Sequence, residues 1–177
     1  MRRSEPTQPD WTMLFLDTEW ADDDGQELVS LALLSEDGRH SFYAERDPLP
    51  QNPTPFVRLQ VYPLLDGGAV SIDCKAYVTA LRAFLASIAD PLVVYNDSND
   101  AILLQRALHG FDLSPKEALS CGPVPTVSAV LDADPVLLGF TKRWFAQHPA
   151  AKRHHALVDA TALRDAWVLI HRSADRP

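Results

Sequence analysis

Apolar and polar positions alternate in a strand-like way from Thr12 onward. Met13–Trp20 (MLFLDTEW) and Glu27–Leu34 (ELVSLALL) read as strands, separated by ADDDGQ, whose Asp-Gly pair suits a tight turn. His40–Glu45 (HSFYAE) follows EDGR, so three strands and two turns predict an antiparallel meander. Residues 1–11 are polar, carry two prolines and lack periodicity, which predicts a mobile tail ahead of the fold.

Asp47–Pro63 carries Pro48, Pro50, Pro53, Pro55 and Pro63, which deny a sheet its backbone donors and predict a long connection. From Asp73 to Ala89 the apolar residues Tyr77, Leu81, Phe84, Leu85 and Ile88 recur at helical spacing, with Ser71 or Asp73 available as a cap. Pro91 ends that helix. Leu92–Tyr95 suits a buried central strand, and Asn99–His109 reads as the helix after it. The order to this point is βββαβα. Farther on, Ser128–Leu131 and Leu138–Gln147 look helical, and Ala156–His171 is a final helix with Ala156, Ala160, Leu163, Trp167 and Ile170 on one stripe. The expectation is one α/β domain over residues 12–173, with a mixed central sheet flanked by helices.

A chain of 177 residues, 46% apolar and without an internal repeat, fits that expectation of a single folded domain. Its longest apolar runs fall far short of the roughly 20 residues needed to cross a bilayer. SEPTQPD follows Met1-Arg2-Arg3, where a signal peptide would turn apolar, so no export signal is expected. Cys74 and Cys121 have neither disulfide-framework nor zinc-ligand spacing, and the cytoplasm is the expected compartment. A net charge of −8 and the lack of a basic stripe disfavour tracking along a duplex. Carboxylates that gather divalent cations would reverse the local field, so a short nucleic acid end stays open as a partner.

Three places put acids where apolar residues belong. Asp17 and Glu19 are two apart on an apolar strand, so both carboxylates leave one face of the sheet. Asp100 heads a helix whose stripe continues through Leu103, Leu104, Ala107 and Leu108, and Asp159 shares a face with Ala156, Leu163, Ala166 and Ile170. His154 stands just before that last helix or in its first turn and titrates near neutrality. Each signal has a plainer reading. Asp17 and Glu19 could be solvent-facing acids at a strand end. Asp100 could be a first-turn acid near a cap at Asn96, Asp97, Ser98 or Asn99, and His154 and His155 could extend an exposed basic patch with Lys152 and Arg153. Asp165, beside Arg164, reads as a solvated acid.

Their combination and order, strand D-x-E, then a strand-to-helix Asp, then a histidine five residues before a helical Asp, resembles the DnaQ-like DEDD exonucleases of the His-containing subclass. FLDTEW is similar to their first motif, and HHALVDA to their third, H-x-A-x-x-D, which selects His154 over His155. In the second motif Tyr95 and Asn99 stand where the family has His and Phe, with Asn96 and Asp100 in register, which favours Asp100 over Asp97. The ELVSLALL strand and the DPLP…FVR…VYPLL segment further resemble compact bacterial 3′–5′ exoribonuclease-like proteins.

The resemblance covers roughly Met13–His171 and implies a ribonuclease H-like fold. It also implies a site in which two divalent ions, Mg²⁺ or Mn²⁺, are held by Asp17, Glu19, Asp100 and Asp159. Asp17 would bridge both ions, Glu19 and Asp159 would complete the first and Asp100 the second. His154 would be the general base, and Asn96 and Trp20 would face substrate, although Trp20 also suits a core aromatic. The implied substrate is single-stranded RNA or a short oligonucleotide, cut from its 3′ end to nucleoside 5′-monophosphates, with DNA as an open alternative. Relatives of this size often pair as homodimers, with the segment 48–63 as a candidate contact. Two competing readings are a catalytically silent binding module and a hydrolase of a small phosphodiester.

Overall fold

The structure, a computed structural model, describes residues 11–174. Residues 1–10 of the expected tail therefore lie outside the described part. Six strands form one mixed sheet: β1 (Thr12–Trp20), β2 (Leu28–Ser35), β3 (Ser41–Asp47), β4 (Ser71–Asp73), β5 (Pro91–Tyr95) and β6 (Ser128–Leu131), in the order β4-β3-β2-β1-β5-β6. The expected meander is present, since β1 pairs antiparallel with β2 and β2 with β3. β4 joins β3, and β5 joins β1, both in parallel, and β6 continues parallel to β5.

β1 is central because both its faces are apolar. Leu14 and Leu16 point to one side, where Leu31, Leu33 and Ala44 of the neighbouring strands meet helices α1 (Cys74–Ala86) and α2 (Ser98–Leu108). Each of these fully buried leucines stabilises the fold by roughly 2 kcal/mol. Asp73 caps α1 by accepting the Ala76 N–H, and Tyr77, Leu81 and Leu85 lie on its buried side. Buried Arg82 donates to the carbonyls of Leu108, Ala118 and Gly122, so the ends of α2 and α3 (Pro115–Ser120) are tied to α1.

Phe15 leaves the opposite face of β1 and packs with Val94, Leu163 and Ala166, and with Trp167 at 5.7 Å between ring centroids. Helix α5 (Ala156–Ala174) covers this face together with α4 (Pro135–Gln147). Ala156 and Ala160 lie on Ala32 of β2, and these small side chains let α5 approach the sheet closely. That approach brings the first turn of α5 beside the C-terminal half of β1.

Several expectations need correction. Ser128–Leu131 is strand β6, not a helix: it pairs with Leu92–Tyr95, and all four residues are exposed, so no burial pattern marks it in the chain. The helix expected at Leu138–Gln147 begins at Pro135, where Asp134 accepts the Val136 N–H and proline occupies the first turn. The proline-rich connection contains a π-helical turn at Val57–Val61 and a 3-10 turn at Tyr62–Leu64. β4 and α3 were not anticipated; α3 starts with a capping box made by Ser114 and Glu117. Asp165 is not simply a solvated acid, because it accepts a hydrogen bond from Trp144 Nε1 at 3.0 Å and pairs with Arg164, joining α4 to α5. Among the described residues, no helix is long and apolar enough to cross a membrane.

Candidate metal centre

Parallel strands collect ligand sites at their C-terminal ends, where the chain leaves the sheet for the next helix. A cleft of about 610 Å³ opens at the ends of β1 and β5. Asp17, Glu19, Asp100, His154 and Asp159 all line it, as do Trp20 and Asn96. These side chains come from β1, the loop after β5, α2, the turn before α5 and the first turn of α5 itself.

Asp17 and Glu19 project from the α5 side of the sheet, as their register with Ala32 and Ser30 requires. Thr18, between them, points the other way and reaches α2. Its backbone N–H and its hydroxyl both donate to Asp100 Oδ1, at 3.0 and 2.7 Å. This pair of hydrogen bonds fixes a carboxylate that is only 1% exposed at the head of α2. Asp97, the other acid of that turn, accepts the Asn99 N–H and caps the helix instead. On α5, Asp159 Oδ2 accepts the His154 backbone N–H at 2.9 Å.

What remains unbonded is informative. Asp17 Oδ2, Asp100 Oδ2 and Asp159 Oδ1 are shut away from solvent without a hydrogen-bond partner. A buried acceptor left in that state costs about 1–3 kcal/mol, and more when charged. Burial accordingly raises all four acids above the usual carboxylate range: Asp17 well above, Glu19 to about 8, Asp100 to about 7 and Asp159 to about 6. Mutual repulsion adds to this for Asp17 and Glu19, whereas Thr18 offsets it for Asp100 and the His154 N–H for Asp159. Glu19, His154 and Asp159 each place a donor atom within 4.8 Å of the others. Unpartnered hard oxygens that repel one another fit a hard divalent cation.

His154 occupies the left-handed backbone region at φ 70°, and its ring meets Phe56 edge-on at 5.0 Å between centroids. Burial, and then the neighbouring Arg153, hold its imidazole below the usual histidine range. Both influences favour the neutral ring, the form that can take a proton. Trp20 lines the cleft and also packs on the core beneath it, as expected of a core aromatic.

The exposed basic patch envisaged at residues 152–155 is present only in part, since Lys152 and Arg153 are exposed while His154 is half-buried and His155 buried. His155 is 4% exposed and stacks on Tyr43 at 4.7 Å, Lys152 pairs with Asp66, and Arg153 lies over Phe145. Sequence reasoning also missed Thr18 and Phe56. Thr18 had a usable signal, a hydroxyl between two acids on a strand, whereas Phe56 sits in an irregular segment that carries no period.

Glu45, Asp66 and His155 form a second group close enough to hold a cation. Here the carboxylate is saturated: Glu45 Oε1 accepts from the Tyr43 hydroxyl and the Asp66 N–H, both at 2.6 Å, and Oε2 from the Gly67 N–H at 2.9 Å. Among the described residues, the α/β chain thus holds an acidic cleft whose buried carboxylate oxygens lack donors and an acidic cluster whose Glu45 carboxylate has donors on both oxygens, although His155 Nδ1 beside it has no partner. In comparisons with known proteins, no family model and no curated protein matches the chain.

Proposed function

We propose that this chain is a metal-dependent 3′–5′ exonuclease of the DEDD type, acting on single-stranded RNA or short oligonucleotides and releasing nucleoside 5′-monophosphates. The observation that carries the reading is the convergence of Asp17, Glu19, Asp100 and Asp159 with His154 in one cleft, with three of the carboxylate oxygens buried and unpartnered. The strand order and the motif register support a ribonuclease H-like fold. The 3′ polarity and the preference for RNA rest on the motif resemblance.

Asp17, Glu19, Asp100 and Asp159 would hold two divalent ions. Bound Mg²⁺ or Mn²⁺ would neutralise the scissile phosphodiester and make water a better nucleophile. His154 takes the proton from the attacking water as its oxygen bonds to phosphorus, and the bond to the 3′-oxygen of the preceding nucleotide breaks. Trp20, Phe56 and Phe145 give the cleft aromatic surfaces on which an unpaired base can stack. The overall charge of −8 restricts attraction to the cation-loaded cleft, which favours a strand end over a long duplex.

Digestion of a 5′-labelled short single-stranded RNA with and without Mn²⁺ tests the reading. The expected result is a metal-dependent ladder growing from the 3′ end, abolished in Asp17→Ala and reduced about 100-fold or more in His154→Ala. No ladder on RNA or matched DNA, with Mn²⁺ bound, would reject a polymer nuclease and leave a small phosphodiester or simple binding.

A further inference from the structure

We propose that Asp66 is a positioning residue, which holds the turn that presents His154 to the acidic cleft. The inference deepens the nuclease reading and rests on it for its activity measurements. A left-handed backbone is disfavoured for a residue with a Cβ, so the φ of 70° at His154 must be imposed by the surroundings. Asp66 supplies part of that constraint from outside the cleft, in addition to the Asp159 carboxylate that accepts the His154 N–H. Its Oδ1 lies 3.5 Å from Lys152 Nζ and its Oδ2 3.4 Å from His155 Nε2, so one carboxylate grips the turn on both sides of His154. Lys152 Nζ also reaches the Leu64 carbonyl at 3.4 Å.

Asp66 is itself anchored. Its N–H and that of Gly67 donate to Glu45, which is 1% exposed in the middle of β3. The Tyr43 hydroxyl donates to the same Glu45, and the Tyr43 ring stacks on His155. Glu45, Asp66, His155 and Tyr43 therefore close a circuit from the sheet to the turn and back. The donors filling both Glu45 oxygens, and the ammonium beside Asp66, suit a latch and not a cation. Phe56, from the same proline-rich segment, adds its edge contact on the His154 ring. The segment between β3 and β4 thus reaches into the site from outside the sheet, without supplying one of the four acids.

The test uses the full chain carrying Asp66→Ala or Asp66→Asn, each also combined with His154→Ala. With Mn²⁺ and a short RNA, Asp66→Ala is expected to lower kcat about tenfold and to change KM by less than about twofold, as for a misplaced catalytic group. In the His154→Ala background the further loss should be under about twofold, because the group being positioned is gone. Asp66→Asn keeps one acceptor oxygen and should recover part of kcat. The His154 ring resonance, assigned by its loss in His154→Ala, should shift or broaden in Asp66→Ala while thermal melting stays cooperative.

An equal fractional loss in both backgrounds, or an unmoved His154 resonance in both Asp66 variants, would overturn the inference. If the wild type hydrolyses nothing, the nuclease reading falls, and the resonance alone decides whether Asp66 fixes His154. Should Asp66→Ala fail to melt cooperatively, Asp66→Asn carries the same comparison.

Discussion

Glu19 and Glu45 stand in one cross-strand row of the sheet, on either side of Ser30. Both are buried, yet the fold treats them in opposite ways. Glu45 has hydrogen-bond donors on both oxygens and fastens the 66–67 turn to β3. Glu19 faces Asp17, Asp100 and Asp159, and burial with mutual repulsion pushes its proton affinity up. Burial alone therefore does not distinguish a structural acid from a binding one. The supply of donors does: a buried carboxylate with its lone pairs filled holds the chain together, and one without them waits for a charge from outside.

The widest separation between the two regions should come from Glu45→Ala. It strands two backbone N–H groups and a hydroxyl, and should cost about 3 kcal/mol of stability in urea unfolding. A loss under about 1 kcal/mol would break the contrast. Asp17→Asn should act in the other direction, raising the stability of the metal-free chain by about 1 kcal/mol at pH 8, because it removes a carboxyl whose ionisation burial and its acidic neighbours oppose in the folded state. The same change should erase the gain that saturating Mn²⁺ gives the wild type, about 2.7 kcal/mol at a hundredfold excess over Kd. A destabilised Asp17→Asn that still gains stability from Mn²⁺ would count against the cleft as the cation site.

The pH dependence follows from the same acids. Glu19, Asp100 and Asp159 are raised in the folded chain, to about 8, 7 and 6, so between those values and the ordinary carboxylate range the folded state binds more protons than the unfolded one. In chelator, the melting temperature should therefore rise as the pH falls from about 8.5 to about 5.5, and drop again as the acids ionise on return. Mn²⁺ should help most at the alkaline end; a flat profile in chelator would mean the acids are not coupled to folding. The smallest effect is expected at Trp20, which is shared between cleft and core. Trp20→Ala should raise KM for a short RNA about fivefold, near the lower end of what stacking on one base provides, with Trp20→Phe close to wild type.

The acids were legible in the chain because each broke a local pattern: two on an otherwise apolar strand, one on the core side of each of two helices. Pattern violations of that kind can be read without tertiary contacts. β6 was not legible, since its four residues are exposed and owe their strand character to the partner β5. Asp66 and Phe56 were not legible for a related reason, because irregular backbone has no period from which a direction can be inferred. The turn at residues 152–155 shows the limit most clearly. A basic patch was one of two readings open for these four residues; Lys152 and Arg153 are exposed as it expects, yet each of Lys152, Arg153, His154 and His155 also meets a partner on another segment, at Asp66, Phe145, Phe56 and Tyr43.

Asp159 turns Oδ1 to the cleft and spends Oδ2 on the His154 backbone. Under the proposed nuclease reading, replacing it would remove a metal ligand and release the base in one stroke, and the resulting rate could not be divided between the two. If the proposed nuclease reading holds, a version meant to grip RNA without cutting it, for recovering and sequencing whatever it seizes, is better built as His154→Ala, which leaves all four carboxylates in place.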